Sequence, residues 1–365
     1  MAGTGWSGAA VGRYCDSNRT ASGWNAVDNG RRQEEADLSE VRLPEGLNEF
    51  LGAVGWSDAQ VEPLAGDASF RRYFRIRKAE GKTAMLMDAP PPHEDPRPFL
   101  HVAKYLLRNG FRAPEIFGED MSRGLVLIED FGDERMREHL DTHPEDEMAI
   151  YRHAIDTLIA LEKAPVADVA PYDADAYLRE TALLAEWYMP AMGLAVDREA
   201  FDALWRRALA PICDVKWQQV TVLRDYHAEN VMLLRDGAQG LIDFQDALAG
   251  HPAYDLVSLL QDARRDVSPE LEAAMLDHYR RNGDAGEDFD LHYALLGAQR
   301  NTKIIGIFTR LWKRDGKERY LSFLPRMWGL LERDLAHLGL SDVRDWFDRN
   351  IPIETRAQSP LDRTV

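Results

Sequence analysis

The feature that most constrains this chain is a pair of short segments, "RDYHAEN" at residues 224–230 and "LIDFQD" at residues 241–246. Between them lie two apolar runs separated by the turn-forming sequence "RDG". This order predicts two strands joined by a tight hairpin. Because a hairpin brings the outer ends of its strands together, Asp225 and Asn230 before the first strand should meet Asp243 after the second.

These three side chains have the chemistry of a metal and phosphate site. Mg²⁺ commonly takes only one or two protein oxygens and keeps its other positions for water and phosphate. Asn230 can supply an amide oxygen and Asp243 a carboxylate, which leaves Asp225 to accept the proton of an attacking hydroxyl. The alternative is that Asp and Asn are simply turn formers. The combination of a hairpin with an apolar run into Asp243 favours the functional interpretation.

The rest of the chain divides into a part with strand patterns and a part with helical patterns. Strand patterns occur in "FRRYFRIR", "TAMLMDA" and "GLVLIEDFG", and "PRPFLHVAKYLLRNG" has a helical apolar face and ends at a glycine. Beyond Glu134 the pattern is mostly helical apart from the hairpin. We predict an α+β fold with a small β-sheet N-lobe at 41–132, a larger mostly helical C-lobe at 133–355 and a tail at 356–365.

Composition argues against several classes of protein. The net charge of −18 disfavours a nucleic-acid partner, because such binding depends on positive charge at the phosphates. No apolar run approaches the roughly 18 residues that a membrane helix needs. The two cysteines, Cys15 and Cys213, fit a reducing cytoplasm better than a disulfide framework. Residues 1–40, rich in Gly, Ser, Ala and Asn, are expected to be a disordered or non-native extension. We expect a cytoplasmic monomer.

Two segments, "LRDYHAENVML" and "LIDFQDA", resemble the catalytic and metal segments of the aminoglycoside phosphotransferase and choline kinase group. "HPAYDLVSLL" resembles the segment that follows in that group, and the likeness spans about residues 45–340. It implies the protein-kinase-like two-lobe fold and a kinase that uses ATP and Mg²⁺. In this resemblance Asp225 is the catalytic base, Asn230 and Asp243 are the metal ligands, and Asp255 orients the catalytic loop.

The resemblance also implies a set of nucleotide-binding residues. "LAGDASF" corresponds to the loop over the nucleotide phosphates, although a plain hairpin turn is an equal alternative for that stretch taken alone. Glu129 and Phe131 correspond to the segment between the lobes that holds adenine. The nucleotide-binding candidates are Gly66, Asp67, Ala68, Ser69, Phe70, Arg72, Glu129 and Phe131.

The sequence departs from the family pattern in the N-lobe and again before the catalytic aspartate. Kinase-like enzymes carry a phosphate-binding lysine in the strand that reads "TAMLMDA" here, but Met85 and Met87 fill its inward-facing positions. The next helix, which should carry the lysine's glutamate partner, has no acidic residue. Arg72 or Lys104 could supply the positive charge, and the sequence does not choose between them. Leu223 stands where relatives carry a histidine.

Within the group, "GDASFRRYFRI", "MDAPPP" and "LRDYHAEN" look closest to bacterial kinases that phosphorylate the anomeric hydroxyl of N-acetylmuramic acid and N-acetylglucosamine. That resemblance implies an amino sugar acceptor, a sugar 1-phosphate product and a role in peptidoglycan recycling. Two alternatives stay open: an aminoglycoside or amino-alcohol phosphotransferase, and a nucleotide-binding pseudokinase.

The acceptor pocket should lie in the helical lobe beside Asp225. Its candidates come from "ETALLAEWYMPAMG", from "AQRNTKIIGIFTRLWKRDG" and from the catalytic loop. Each has a simpler interpretation as a core aromatic, a solvated charge or a loop brace. The substrate-binding candidates are Glu186, Trp187, His227, Arg300, Asn301, Lys303 and Arg310, and Glu180 lies in the first of these segments.

Overall fold

The computed structural model describes residues 42–64, 71–213 and 219–363. The expected N-terminal extension at 1–40 lies outside these residues, and so do the loop candidates Gly66, Asp67, Ala68, Ser69 and Phe70. In the described part of the chain, no helix combines the length and apolarity needed to cross a membrane.

The N-terminal part is built on a five-stranded sheet in the order β1-β2-β3-β5-β4, and every neighbouring pair is antiparallel. The strands are β1 Gln60–Pro63, β2 Arg72–Arg77, β3 Thr83–Asp88, β4 Ile116–Asp120 and β5 Leu125–Glu129. The sequence patterns predicted β2, β3 and β5 but missed the two edge strands. Both edge strands are half-exposed, and the register of β4 shifts near Gly118, so neither shows a clean apolar alternation.

The two faces of this sheet pack against different helices. On the outer face, Phe74, Leu86 and Leu127 pack against helix α1 Leu47–Ala53. On the inner face, Met87 and Val126 belong to the same apolar cluster as helix α2 Arg97–Arg108. That cluster continues without a break into the helical part of the protein, so the inner face of the sheet is the one that meets the second lobe.

The C-terminal part is mostly helical. Its helices of seven or more residues are α3 Met136–Thr142, α4 Glu147–Lys163, α5 Ala174–Leu183, α6 Arg198–Ala208, α7 Ala253–Leu260, α8 Pro269–Asn282, α9 Phe289–Asp315, α10 Leu324–Leu335 and α11 Ser341–Asn350. The long helix α9 is central and buried along most of its length, and it packs against α5, α7 and α10. Helix α5 continues into a widened helical turn, Leu184–Tyr188, that also lies on α9.

Two small antiparallel strand pairs carry the segments singled out in the sequence. Strands β6 Val220–Val222 and β9 Leu248–Gly250 form one pair, and β7 Val231–Leu233 and β8 Gln239–Leu241 form the predicted hairpin. In that hairpin Val231 pairs with Leu241, so the residues just outside the two strands are neighbours.

Candidate active site

Asp225 lies in the loop between β6 and β7, and a buried carboxylate, Asp255, accepts hydrogen bonds from the backbone of that loop. Asp255, in the first turn of α7, accepts hydrogen bonds from the backbone N–H groups of Leu223, at 2.6 Å, and Arg224, at 2.8 Å. Burial raises the pKa of Asp255 to about 7. The Ser258 hydroxyl donates to the carbonyl oxygen of Arg224 at 3.1 Å. Arg224 has φ 70°, a strained value for a residue with a side chain, so these bonds on both sides fix an unfavourable backbone.

The hairpin brings Asn230 and Asp243 into contact beside this loop. The Asn230 Nδ2 group donates to Asp243 Oδ2 at 3.2 Å and to the carbonyl oxygen of Asp225 at 3.0 Å. Gln245 Nε2 donates to the other Asp243 oxygen at 2.8 Å. Asp243 also has a positive φ of 60°, which turns the chain sharply after the strand. The three residues singled out in the sequence therefore lie together.

This donor set fits a magnesium ion that is completed by other oxygens. Because the amide nitrogen of Asn230 makes the bonds described above, its amide oxygen is the atom that can face a metal. Asp243 is exposed and adds a carboxylate. Within the described residues, no group of three or more His, Cys, Asp or Glu side chains could hold a metal alone. A site of one amide and one carboxylate is the small protein share that Mg²⁺ needs when phosphate and water supply the rest.

Buried positive charge keeps Asp225 ionised. Burial alone would raise the pKa of the Asp225 carboxyl, but the charges of Lys303, Arg300 and Arg224 hold it below the ordinary value for aspartate. Asp225 is therefore an anion at neutral pH. A carboxylate whose pKa is lowered is a weak base, and it orients a hydroxyl more effectively than it removes a proton.

Lys303 and Arg224 are themselves neutralised by one buried carboxylate, Glu180 of α5. Its Oε1 atom accepts from Lys303 Nζ at 2.9 Å and from Arg224 Nη2 at 2.5 Å. Its Oε2 atom accepts from Gln299 at 3.0 Å and from the Tyr172 hydroxyl at 2.5 Å. Burial opposes ionisation of Glu180, yet the two cations lower its pKa to about 2. We call Glu180, Lys303, Arg224, Gln299 and Tyr172 the Glu180 network. The sequence placed Glu180 near the pocket but gave no sign of this bridging position.

Three acceptor candidates lie near Asp225. Lys303 belongs to the Glu180 network, and Arg300 is buried with its Nη2 group donating to the Ser258 hydroxyl at 2.8 Å; the charges of both lower the pKa of Asp225. His227 is buried in the loop between β6 and β7, with Nε2 at 3.4 Å from the Asn230 amide nitrogen. Burial lowers the pKa of His227, so it is neutral at neutral pH. These positions suit bracing of the loop as well as contact with a substrate.

The other four acceptor candidates take no part in the Glu180 network. Asn301 is fully buried and bonds Gln261 at 2.7 Å and Asp334 at 3.0 Å, so its amide nitrogen is used within the core. Glu186 pairs with Arg198 at 2.7 Å on the surface. Trp187 is partly exposed in the turn after α5. Arg310 is also partly buried, and its guanidinium makes no ion pair or hydrogen bond with any residue that the structure describes.

The segment between the lobes contains a second ion pair, between Glu129 and Arg112. Glu129 forms a two-point pair with Arg112, at 2.7 and 2.5 Å, and that guanidinium lies 4.9 Å from the ring centre of Phe131. Phe131 packs directly on Gly240 of β8, where an added Cβ would come within 2.6 Å of the ring. The adenine-binding candidates therefore lie where the sheet meets the hairpin.

The two proposed substitutes for the missing lysine do not face the lobe junction. Arg72 lies on the outer face with Phe74 and bonds Asp88 at 2.9 Å and the backbone of Arg42 at 2.7 Å. Lys104 pairs with Glu119 on the surface at 3.1 Å. Arg72 points to the outer face because a strand alternates its side chains between faces. Lys104 lies on helix α2, and its side chain is half exposed beside Glu119.

Comparison with known proteins places the chain in a family. The sequence profile of the phosphotransferase enzyme family, APH, matches residues 60–290. An N-acetylmuramate/N-acetylglucosamine kinase of Caulobacter vibrioides is 38% identical over 352 residues, which cover 84% of this chain and 96% of that protein. A protein of the same name from Pseudomonas aeruginosa is 38% identical over 310 residues, covering 80% of this chain and 89% of the relative.

Solved structures show the same architecture. The choline kinase LicA of Streptococcus pneumoniae aligns with a TM-score of 0.56 at 15% identity, covering 81% of this chain and 97% of that one. The ADP-bound aminoglycoside phosphotransferase APH(2'')-Ib aligns with a TM-score of 0.56 at 15% identity, covering 80% and 97%. The predicted α+β two-lobe, protein-kinase-like fold is therefore confirmed.

The chain belongs to the APH phosphotransferase enzyme family. It is a small-molecule kinase that transfers a phosphoryl group to an alcohol.

Proposed function

We propose that this kinase phosphorylates the anomeric hydroxyl of N-acetylmuramic acid, N-acetylglucosamine or both, with ATP and Mg²⁺, to give the sugar 1-phosphate. The contact between Asn230 and Asp243 beside an ionised Asp225 carries the assignment of phosphoryl transfer. The choice of sugar is supported by relatives that share 34% to 38% identity and carry the name N-acetylmuramate/N-acetylglucosamine kinase. The names support a role in peptidoglycan recycling, and from the sequence we also propose that the enzyme is cytoplasmic and monomeric.

In this proposal each residue acts by position and charge. Asp225 accepts a hydrogen bond from the sugar hydroxyl and aims its oxygen at the γ-phosphorus of the nucleotide. An anomeric hydroxyl is more acidic than an ordinary sugar alcohol, so the weakly basic Asp225 suffices. Asn230 and Asp243 would hold Mg²⁺, which neutralises phosphate charge. The nucleotide-binding role of Glu129 and Phe131 follows from their place between the lobes.

The proposal also assigns one group to the lactyl carboxylate that distinguishes muramic acid. Of the three basic candidates, Lys303 is neutralised by Glu180 and Arg300 is bonded to Ser258. Arg310 lies on the same face of α9 as Lys303, about 10 Å further along the helix axis. Burial, together with the charge of Arg314, lowers the pKa of Arg310, and the charges of Asp315 and Glu186 offset this only in part. A carboxylate of the substrate would offset the remainder.

The reaction is tested by ³¹P NMR of the full chain with ATP, Mg²⁺ and one acceptor at a time. A phosphate signal split by the anomeric proton, with N-acetylmuramic acid or N-acetylglucosamine, supports the proposal. A sugar 6-phosphate, or product only from aminoglycosides or choline, contradicts it and supports the antibiotic or amino-alcohol kinase. No product from any acceptor, with nucleotide binding intact, supports the pseudokinase.

The carboxylate assignment has its own test in Arg310→Gln. We expect kcat/KM to fall about 10-fold or more for N-acetylmuramic acid and to change little for N-acetylglucosamine, because a hydrogen bond to a charged group is lost only with the first sugar. Arg314→Gln is the matched control, since Arg314 is exposed and paired with Asp315 at 2.7 Å. An equal loss with both sugars would contradict a carboxylate subsite at Arg310.

A further inference from the structure

The inner face of the sheet has no lysine at the place where kinase-like enzymes bind nucleotide phosphate. Met87 of β3 is completely buried there, and Met85 is half-buried two residues earlier. The neighbouring strand β2 runs antiparallel, with Tyr73 opposite Met87 and Arg75 opposite Met85. Directly opposed residues have Cβ atoms about 4.5–5.5 Å apart, so a cation on the inner face of β2 can reach the same space.

Arg75 is one such cation, but two carboxylates of the segment between the lobes hold it. Its Nε atom lies 2.8 Å from Asp130 Oδ2, and its Nη2 atom lies 2.7 Å from Asp133 Oδ1. The side chain is buried in this arrangement. Arg75 therefore fastens β2 to the end of β5 and is committed to that structural contact.

Arg71 is the second cation, and it pairs with a carboxylate from the segment before α2. Its Nη2 atom is 3.4 Å from Glu94 Oε2, and the two side chains are only 11% and 19% exposed. Arg71 comes one residue before β2 and two positions before Tyr73 of the inner face. Glu94 lies in the turn just before α2, the helix that should have carried the lysine's partner.

The inner face of the sheet is the one that meets the helical lobe, and Tyr73 packs there against the apolar cluster that the two lobes share. Burial works against the charge on Arg71, yet Tyr73, Glu94 and Asp243 together raise its pKa. Burial raises the pKa of Tyr73, and the charge of Asp243 raises it further. The influence of Asp243, a residue of the other lobe, agrees with the position of both residues on the inner face.

We propose that Arg71 is the phosphate-binding cation of this kinase and that Glu94 is the carboxylate that positions it. Arg71, just before β2, takes the role of the lysine that is absent from β3, and Glu94, just before α2, takes the role of the glutamate that is absent from that helix. Because a guanidinium can donate two parallel hydrogen bonds to phosphate oxygens, it also orients the nucleotide more tightly than an ammonium. The inference rests on the proposed use of Mg·ATP but not on which sugar is the acceptor.

The test measures Mg·ATP affinity of the full chain by calorimetry without acceptor, and KM for ATP and for sugar separately. We expect Arg71→Met to weaken Mg·ATP binding about 10-fold or more and to raise KM for ATP while leaving KM for sugar unchanged. Arg71→Lys should retain part of the affinity. Arg77→Met is the matched control, because Arg77 is an exposed arginine of the same strand that pairs with Glu62 at 3.0 Å; its affinity should be that of wild type.

Glu94→Gln separates positioning from a merely structural role. It should weaken Mg·ATP binding by a smaller factor than Arg71→Met, and the double variant should bind no more weakly than Arg71→Met alone, since the two residues act as one unit. Unchanged affinity in folded Arg71→Met, or an equal loss in Arg77→Met, overturns the assignment. If Arg71→Met does not fold, wild-type affinity in both Arg71→Lys and Glu94→Gln overturns it as well. Failure of the sugar assay leaves this nucleotide measurement intact, so the two proposals fail separately.

Discussion

Replacing Glu180 by glutamine should destabilise the protein far more than replacing any exposed glutamate. Glutamine keeps the size of the side chain but removes the charge that neutralises Lys303 and Arg224. The pKa of Glu180 falls from 4.5 to about 2 on folding. At about 1.4 kcal/mol per pKa unit, the charged form contributes about 3 kcal/mol to the free energy of unfolding at neutral pH. Removing one partner of a buried pair typically costs about 3–5 kcal/mol, which agrees in size.

The sign of the pH dependence follows from the lowered pKa. The contribution of Glu180 is fully present above its unfolded pKa of 4.5 and is lost as the pH falls from there toward 2. The difference between wild type and Glu180→Gln in urea unfolding should therefore be constant from pH 7 to about pH 5 and should shrink below that.

Glu186→Gln is the matched control for this experiment. Glu186 lies a few residues further along the same chain segment and pairs with Arg198 on the surface, where both side chains are nearly half exposed. Exposed pairs contribute about 0–1 kcal/mol, so this variant should unfold almost like wild type. Equal unfolding free energies for Glu180→Gln and Glu186→Gln at pH 7 would refute the electrostatic reasoning, because burial would then make no difference.

The remaining predictions concern the reacting groups. Asp225→Asn should lower kcat by about 100-fold or more while Mg·ATP affinity stays near that of wild type, because only the acceptor of the hydroxyl proton is lost; turnover within a few-fold of wild type would contradict this role. Asp243→Ala should abolish Mg²⁺-dependent ATP binding in calorimetry, and Asn230→Ala should weaken it less, because a carboxylate neutralises charge that an amide oxygen does not. Unchanged affinity in Asp243→Ala would exclude a metal role.

The hairpin site was predictable because its geometry is local. Turn residues at 235–237 set the register of two short strands, and the register then places Asn230 next to Asp243. The central strands β2 and β3 were predictable for a similar reason, because the pattern of apolar residues that marks a strand lies within a few consecutive residues. Strand β1 ends in Pro63 and lies half-exposed at the edge, so its pairing with β2 is visible only in three dimensions.

The Glu180 network could not be predicted from the sequence in the same way. Its three charged residues are far apart along the chain, because Glu180 belongs to α5, Arg224 to the loop between β6 and β7, and Lys303 to α9. A sequence shows that each residue is charged, but the usual expectation for a charged residue is an exposed position. Only the packing of α9 against α5 shows that these charges are buried together and that one carboxylate serves both cations.

The absence of the β3 lysine shows that a family resemblance predicts which charge a site needs better than it predicts which residue supplies it. The family pattern assigns the phosphate-binding charge to β3, and Arg72 and Lys104 are the basic residues that the sequence offers nearby. The physical requirement, however, is a positive charge at one place in the cleft, and an antiparallel neighbour strand opens onto the same place. Arg72 is turned to the outer face, whereas Arg71, one position earlier, belongs to the inner face with Tyr73. One residue of register therefore decides which arginine can serve the nucleotide, and that register is set by the pairing of β2 with β3.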